Sequence, residues 1–292
     1  MKFSHTPVLL TEAIDYLEVE QGKKYIDATV GGGGHFVEIV RRGGRVLGID
    51  ADVDAIVAAK ERIRVELPEA KQGRDWVLVK DNFRNMSAIA KAHGFEGVDG
   101  ILMDLGVSSY QLDTPERGFS YRFADGPLDM RLDRESETSA RTVVSSASES
   151  ELYEILAKFG EEERAGIIAH ALVRARSIKP IQTTGDLAAV VESVAGTGSE
   201  RVLSRVFQAL RIATNDELTA LREALEGSAQ ILKVGGILVV ISFHSLEDRI
   251  VKIAMRTDYW KEMTKHPIIS GQQERLINKR ARSAKMRVAQ KT

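Results

Sequence analysis

Four consecutive glycines, Gly31–Gly34, stand between a strand-like run and a helix-like run. Asp50 closes the next strand-like run, RVLGID, seventeen residues after Gly33. A glycine turn lets backbone approach a ligand closely, and an acid at the following strand end can bind a ribose diol. Both features suit a nicotinamide or flavin dinucleotide, and both suit S-adenosylmethionine. Asp81-Asn82-Phe83 ends a third strand, where an amide or carboxylate can bond an adenine edge and a phenyl ring can cover its face. Asp104 ends a fourth, at the edge where open α/β sheets bind ligands. The dinucleotide fingerprint G-x-G-x-x-G/A is met at Gly31 and Gly33, but Phe36 occupies its third position. No Gly-Lys-[Ser/Thr] follows the turn, so it is not a P-loop. The structural alternatives are a ligand-free tight turn and a loop-capping aspartate.

These residues need a frame, and the spacing of apolar positions supplies one. Strands are expected at 25–30, 45–50, 76–80 and 98–105, with helices at 35–42, 53–67 and 86–93. Strands alternating with helices predict a parallel sheet covered on both faces. From Tyr110 to Arg211 the strand signal disappears. Ser148-x-x-Glu151 reads as a capping box, and helices are expected at 161–177, 185–194 and 200–213. The alternation resumes with a helix at 216–232 stopped by Gly235-Gly236, strands at 237–243 and 284–289, and a helix at 246–256. The reading is α/β: residues 1–110 and 212–292 form a doubly wound, Rossmann-like core, and residues 111–211 form an inserted all-helical domain.

Composition narrows the function. The 292 residues include no cysteine, which removes disulfides, thiolate zinc sites and cysteine nucleophiles. The longest strongly apolar run, Ile237–Ile241, is far short of the ~20 residues of a membrane helix. With no recognisable targeting signal, a cytoplasmic location is expected. The net charge of −1 hides segregation. Residues 249–292 hold twelve Lys/Arg against three Asp/Glu, whereas residues 109–210 hold twelve against sixteen. A basic C-terminal segment on an acidic body is a footprint for an anion such as RNA, or else a solvated tail. No histidine cluster has metal-ligand spacing, and no metal is expected.

Several motifs together make the chain recognisable. They are His5-Thr6-Pro7-Val8-Leu9-Leu10, Asp104-Leu105-Gly106-Val107-Ser108-Ser109, Arg117-Gly118-Phe119-Ser120, Gly126-Pro127-Leu128-Asp129-Met130-Arg131, Phe207-Gln208-Ala209-Leu210-Arg211 and Ser242-Phe243-His244-Ser245-Leu246-Glu247-Asp248-Arg249. The sequence resembles, over nearly its whole length, the bacterial methyltransferases that modify N4 of a decoding-centre cytidine in 16S ribosomal RNA. That resemblance implies a class I S-adenosylmethionine-dependent fold with an inserted substrate domain. It implies cofactor contacts at Gly33, Gly34, His35, Asp50, Phe83, Asp104 and Gln111. The chain departs from the family at Phe36, Tyr110, Lys279 and the approach 200–206.

The chemistry agrees with that resemblance. Methylating C5 of a pyrimidine normally needs a thiolate adduct at C6, which this chain cannot form. Methylation at nitrogen needs none. The N4 lone pair is delocalised into the ring, so an acceptor for the amino hydrogens and in-line alignment are what an enzyme can add. Asp104 is the first candidate, supported by Ser108 and Ser109. His244, just beyond a buried strand, is a candidate contact or proton acceptor, with a loop cap as its alternative. RNA contacts are expected from Arg117, Phe119, Arg131, Arg211, Arg249, Arg280 and Arg282. The expected partner is 16S rRNA, within a small ribosomal subunit, bound by a monomer or homodimer. Two other readings compete: a non-catalytic RNA-binding assembly factor and a nicotinamide-dependent oxidoreductase.

Overall fold

The computed structural model describes residues 7–196 and 199–292; His5 and Thr6 of the first motif lie outside them. The chain divides into two compact units, residues 1–108 with 218–292 and residues 109–217. The expected boundaries, 110/111 and 211/212, shift because the last inserted helix continues past Arg211 to Asn215.

The first unit begins with α1 (Leu10–Tyr16), β1 (Lys24–Asp27), α2 (Gly34–Arg41), β2 (Arg45–Asp50), α3 (Val53–Glu66), β3 (Trp76–Lys80), α4 (Met86–Ala92) and β4 (Val98–Asp104). The second unit contains α5 (Ser109–Asp113), α6 (Ala140–Ser146), α7 (Glu149–Gly160), α8 (Ala165–Ile178), α9 (Thr184–Ala195) and α10 (Glu200–Asn215). The chain then returns through α11 (Glu217–Ile231), β5 (Leu232–Ser242), α12 (Ser245–Ala254), β6 (Trp260–Glu262), α13 (Gln272–Ile277) and β7 (Lys285–Lys291).

The seven strands form one sheet in the order β3-β2-β1-β4-β5-β7-β6. Strands β1 to β5 run parallel, and β7 lies antiparallel between β5 and β6. This is the class I methyltransferase fold. The direction of winding reverses between β1 and β4, the switch point at which such sheets open a crevice beyond their carboxyl ends. Asp27, Asp50 and Asp104 are the last residues of β1, β2 and β4, so all three fall on that edge.

Alternation along the strands builds a core on each face. Leu102, Val239 and Ile241 pack with Tyr25, Phe36, Ile39 and Ile63 on one face. Ile101, Met103, Leu238 and Val240 pack with Met86, Leu221, Leu225 and Val251 on the other. One expectation changes here. Helix α11 ends at Ile231, and the strand starts at Leu232 instead of Ile237. The β4–β5 register shifts between Val98 and Gly100, and Gly235 takes up the irregularity at φ +80°.

The second unit holds no strand among its described residues. Capping boxes start three of its helices: Ser139 with Thr142, Ser148 with Glu151, and Thr183 with Asp186. Glu161, expected inside a helix, instead sits at φ +49° and ends α7, so α8 begins only at Ala165. At Gly160 a Cβ would stand 2.9 Å from the Arg205 carbonyl oxygen, so glycine is what lets α7 approach α10. Among the described residues no helix is long and apolar enough to cross a membrane.

Candidate functional site

The carboxyl edge of the sheet concentrates acids that burial strips of water. Asp27 is 1% exposed, and its Oδ1 accepts the Thr29 N–H at 3.2 Å. Its Oδ2 has no hydrogen-bond partner. Desolvation, with Asp104 and Asp50 nearby, pushes the Asp27 carboxyl up to about 8. Asp104 is tied to β1 through its own N–H, which donates to Thr29 Oγ1 at 2.6 Å. The Asp104 side chain is 7% exposed, and among the described residues Oδ1, like Asp27 Oδ2, has no partner. Burial raises this carboxyl to about 6; the Arg280 charge opposes the rise and Glu247 adds to it. Asp50 differs. Its Oδ2 accepts the Gly31 N–H at 2.8 Å and its Oδ1 accepts the Asp52 N–H at 2.9 Å. Those bonds fix its carboxylate at the strand end beside the glycine turn.

The glycine turn serves two purposes. At Gly33 (φ +75°) a Cβ would meet Ala59 of α3 at 3.1 Å, and at Gly34 it would meet the Pro7 ring at 2.7 Å. These two glycines let α2 pack. Gly31, at φ +49°, would meet only the Thr29 oxygen, at 4.0 Å. At Gly31 the turn has open space beside the Asp50 carboxylate. Phe36, at the third position of the dinucleotide fingerprint, is fully buried and meets Trp76 edge-on at 6.4 Å. The place where that fingerprint needs a small residue is filled by core.

Histidine 35 is buried, and burial lowers its ring to about 4. It is neutral at pH 7, and Nε2 lies 3.1 Å from the Val8 carbonyl. Donation to that carbonyl puts the proton on Nε2 and leaves Nδ1 as an acceptor, 3.9 Å from Asp104 Oδ2. His35 positions the start of α2 and the wall beside Asp104. His244 is the N-cap of α12: Nδ1 accepts the Glu247 N–H at 3.4 Å, and Glu247 Oε2 reaches back to the Phe243 N–H at 2.7 Å and the His244 N–H at 3.3 Å. His244 thus caps α12 through Nδ1, while its buried Nε2, 3.2 Å from Glu247 Oε1, has no hydrogen-bond partner among the described residues. Arg280 lies over the Phe243 ring at 4.8 Å, and its charge acts on both Asp104 and His35. The basic C-terminal segment therefore reaches the acidic edge.

Phe83 follows β3 and is partly buried against the second core cluster, while Asn82 Oδ1 caps the turn by accepting the Arg84 N–H. Ser108 ends the first unit and Ser109 opens α5 of the second. Gln111, expected at the cofactor, is buried in α5. Asp27 is the residue that sequence reasoning missed. Its signal was an acid at the end of an apolar strand directly before the glycine turn.

The expected RNA contacts separate into two groups. Arg117 is 2% exposed; its Nη2 donates to the Arg131 and Leu132 carbonyls at 2.9 and 3.3 Å, and it lies 5.7 Å from the Phe119 ring, itself buried. Arg131 forms a bidentate pair with Asp129 and also donates to the Arg134 and Ser136 carbonyls. Arg211 forms a bidentate pair with Glu217 at 2.8 Å for both bonds. These four residues hold the irregular segment and the end of α10. Arg249 and Arg282 are exposed, and Arg280 is half-buried at the site. No group of acids and histidines among the described residues is placed to hold a metal.

Residues 2–292 match the model of the MraW methylase family. A protein of Carboxydothermus hydrogenoformans named ribosomal RNA small subunit methyltransferase H is 43% identical, with 100% of this chain and 99% of that one covered. Proteins of the same name from Clostridium botulinum and Symbiobacterium thermophilum are 42% and 41% identical, with 100% of this chain and 100% and 98% of theirs covered.

Proposed function

The chain belongs to the MraW methylase family, and we propose that it moves a methyl group from S-adenosylmethionine to N4 of a decoding-centre cytidine in 16S ribosomal RNA. It is an rRNA methyltransferase; the cofactor, the atom and the cytidine are our reading. The observation that carries the reading is the pair of unpartnered buried carboxylate oxygens, Asp27 Oδ2 and Asp104 Oδ1, at the switch point of the sheet. A buried ionised carboxyl without a partner is costly, so Asp104, at about 6, calls for a cationic or hydrogen-donating ligand, and Asp27, at about 8, holds its proton until a cation draws it off. S-adenosylmethionine fits, because it carries an ammonium and a sulfonium, and it supplies an electrophilic methyl. Gly31 and Asp50 would take its ribose, and Phe83 with Asn82 its adenine. Gly33, Gly34 and His35 would shape the wall, and Gln111 is retained as a contact from α5.

Asp104 does the work expected at the target. It is ionised at neutral pH, since its carboxyl sits at about 6. In that form it accepts a hydrogen bond from the exocyclic amino group as N4 becomes tetrahedral, which frees the nitrogen lone pair. Bound S-adenosylmethionine would supply the methyl group, its sulfur keeping the C–S electron pair, and Asp104 would take the one proton that N4 sheds. Ser108 and Ser109 would orient the base. His244 supports the site by fixing α12. Arg249, Arg280 and Arg282 would bind phosphates, and the inserted unit would grip the RNA outside the reacting nucleotide. The setting is the bacterial cytoplasm, with the small ribosomal subunit as substrate.

The test uses labelled S-adenosylmethionine and small subunits lacking this methyl group. Nucleoside mass spectrometry should find the label on a cytidine N4. Label on another base, or none in RNA, would overturn the reading.

A further inference from the structure

Arg117, Arg131 and Arg211 are bonded within the inserted unit, and a further surface of that unit presents two arginines. A cleft of about 580 Å³ opens between α6, α8 and the turn before α9. Its lining includes Arg141, Val144, Val173, Arg176, Ile181 and Gln182. Two arginines and no carboxylate face it. This stands against the charge of the region, in which residues 109–210 hold sixteen acids and twelve bases. The segments that form its walls, 138–148 and 165–185, contain no acid at all and carry Arg141, Arg174, Arg176 and Lys179. Of the acids that flank these segments, Asp186 is engaged by Lys179 and by the Gln182 and Thr183 N–H groups at 3.0–3.1 Å, and Glu149 stands 3.2 Å from His170 Nδ1.

The two arginines differ from those that hold the fold. Arg141 is exposed on α6, and its side chain makes no hydrogen bond or ion pair among the described residues. Arg176 donates one bond, to the Val144 carbonyl, which fixes its guanidinium at the cleft wall. Beneath them lie Val144 and Ile181, both buried, with Val173 partly so. An aliphatic floor flanked by guanidinium groups matches a nucleotide: the phosphate pairs with the arginines and the base or sugar covers the apolar floor.

We propose that this cleft binds a phosphate and its nucleoside in the RNA substrate, at a position other than the methylated nucleotide. The inference rests on the rRNA reading above. The cleft fixes the register of the strand and contributes to affinity, not to the methyl-transfer step.

The test compares the full-length wild type with Arg141→Glu and Gln182→Glu, the latter a change of one exposed side chain that adds a charge without removing an arginine. Each is assayed for methyl transfer to small subunits and for binding to naked 16S rRNA across a salt series. KM for the subunit should rise roughly five- to tenfold for Arg141→Glu, while kcat at saturation and cofactor affinity hold. The slope of log affinity against log salt should fall by about one. Arg141→Lys should restore most of the affinity. Both variants should melt with the wild type; if Arg141→Glu does not, Gln182→Glu still has to weaken RNA binding. Unchanged KM and salt slope in Gln182→Glu and a well-folded Arg141→Glu overturn the proposal. So does weaker binding to assembled subunits with unchanged binding to naked rRNA, since the cleft would then meet a ribosomal protein. A wild type that methylates no RNA condemns the functional reading instead.

Discussion

The acids at the sheet edge of the first unit and the buried charges of the second are held in opposite ways. In the first, Asp27 and Asp104 are shielded from water and each keeps an oxygen with no hydrogen-bond partner. In the second, buried charge is matched. Arg117 is held by two carbonyls, and Arg211 by Glu217. Glu162 receives the Arg164 N–H at 3.0 Å and stands 3.5 Å from Arg205. An unpaired buried carboxylate destabilises a fold, whereas a paired one fixes a conformation. The contrast separates residues kept for a ligand from residues kept for the fold, and residue type alone does not make that distinction.

The sharpest way to break the contrast is Asp104→Asn. It keeps the shape and removes the charge. Methyl transfer should fall roughly 10²–10³-fold, the usual cost of one preorganised group at the reacting centre, with the melting temperature unchanged or higher. Turnover within a few-fold of wild type would return Asp104 to a structural role. The wild-type rate should also follow Asp104 ionisation. Activity rises with pH through about 6 and levels off above it, because only the ionised carboxylate accepts the amino hydrogen.

Arg117→Ala probes the other side. It orphans the Arg131 and Leu132 carbonyls and empties a buried site, which should cost about 3 kcal/mol. Denaturant melts should show that loss, and the KM for RNA of the fraction that stays folded should not move. A variant that melts normally but binds RNA weakly would restore Arg117 to the RNA interface.

Much of this was legible beforehand, and the misses share a cause. Strands β2 and β3 fall where apolar spacing put them, and β2, buried along its middle, leaves a continuous apolar run. The capping box at Ser148 and Glu151 was readable because it is local chemistry. Helix α6 went unread because its seven residues, ARTVVSS, carry little amphipathic pattern; its capping box uses Thr142 where the motif usually has Glu or Gln. At the site, Asp50 and Asp104 were visible as acids at strand ends. Whether an arginine faces solvent or a carbonyl is a tertiary fact. Arg117 and Arg141 look alike in sequence, and only packing shows that one is 2% exposed and the other fully available.

A smaller effect sharpens the comparison through pH. Asp27 sits at about 8 when folded, against an ordinary value of 3.8. A carboxyl raised on folding lends stability that is whole below about pH 4 and drains away as pH climbs to about 8. Asp27→Asn should therefore leave stability at pH 4 nearly unchanged and raise it at pH 8 by on the order of 2 kcal/mol. Melting curves at the two pH values check the sign. The same variant should weaken cofactor binding, and wild-type binding near pH 7 should release protons as a cation draws Asp27 into its ionised form. Calorimetry in buffers of different ionisation enthalpy measures that release.

The smallest effect concerns His244, which lies at the site yet is bonded as part of the fold. If its work is to cap α12, removing the ring costs what a cap costs: about 1 kcal/mol for His244→Ala, seen as a modest drop in melting temperature. His244→Asn should recover most of that loss, because asparagine can accept the Glu247 N–H as Nδ1 does, and it should keep near-normal turnover. A ring needed for proton transfer gives the reverse pattern: asparagine would restore the melt but not the rate. The capping geometry predicts that stability and turnover recover together. A His244→Asn protein that is stable and inactive would move His244 from the paired side of the comparison to the side reserved for the ligand.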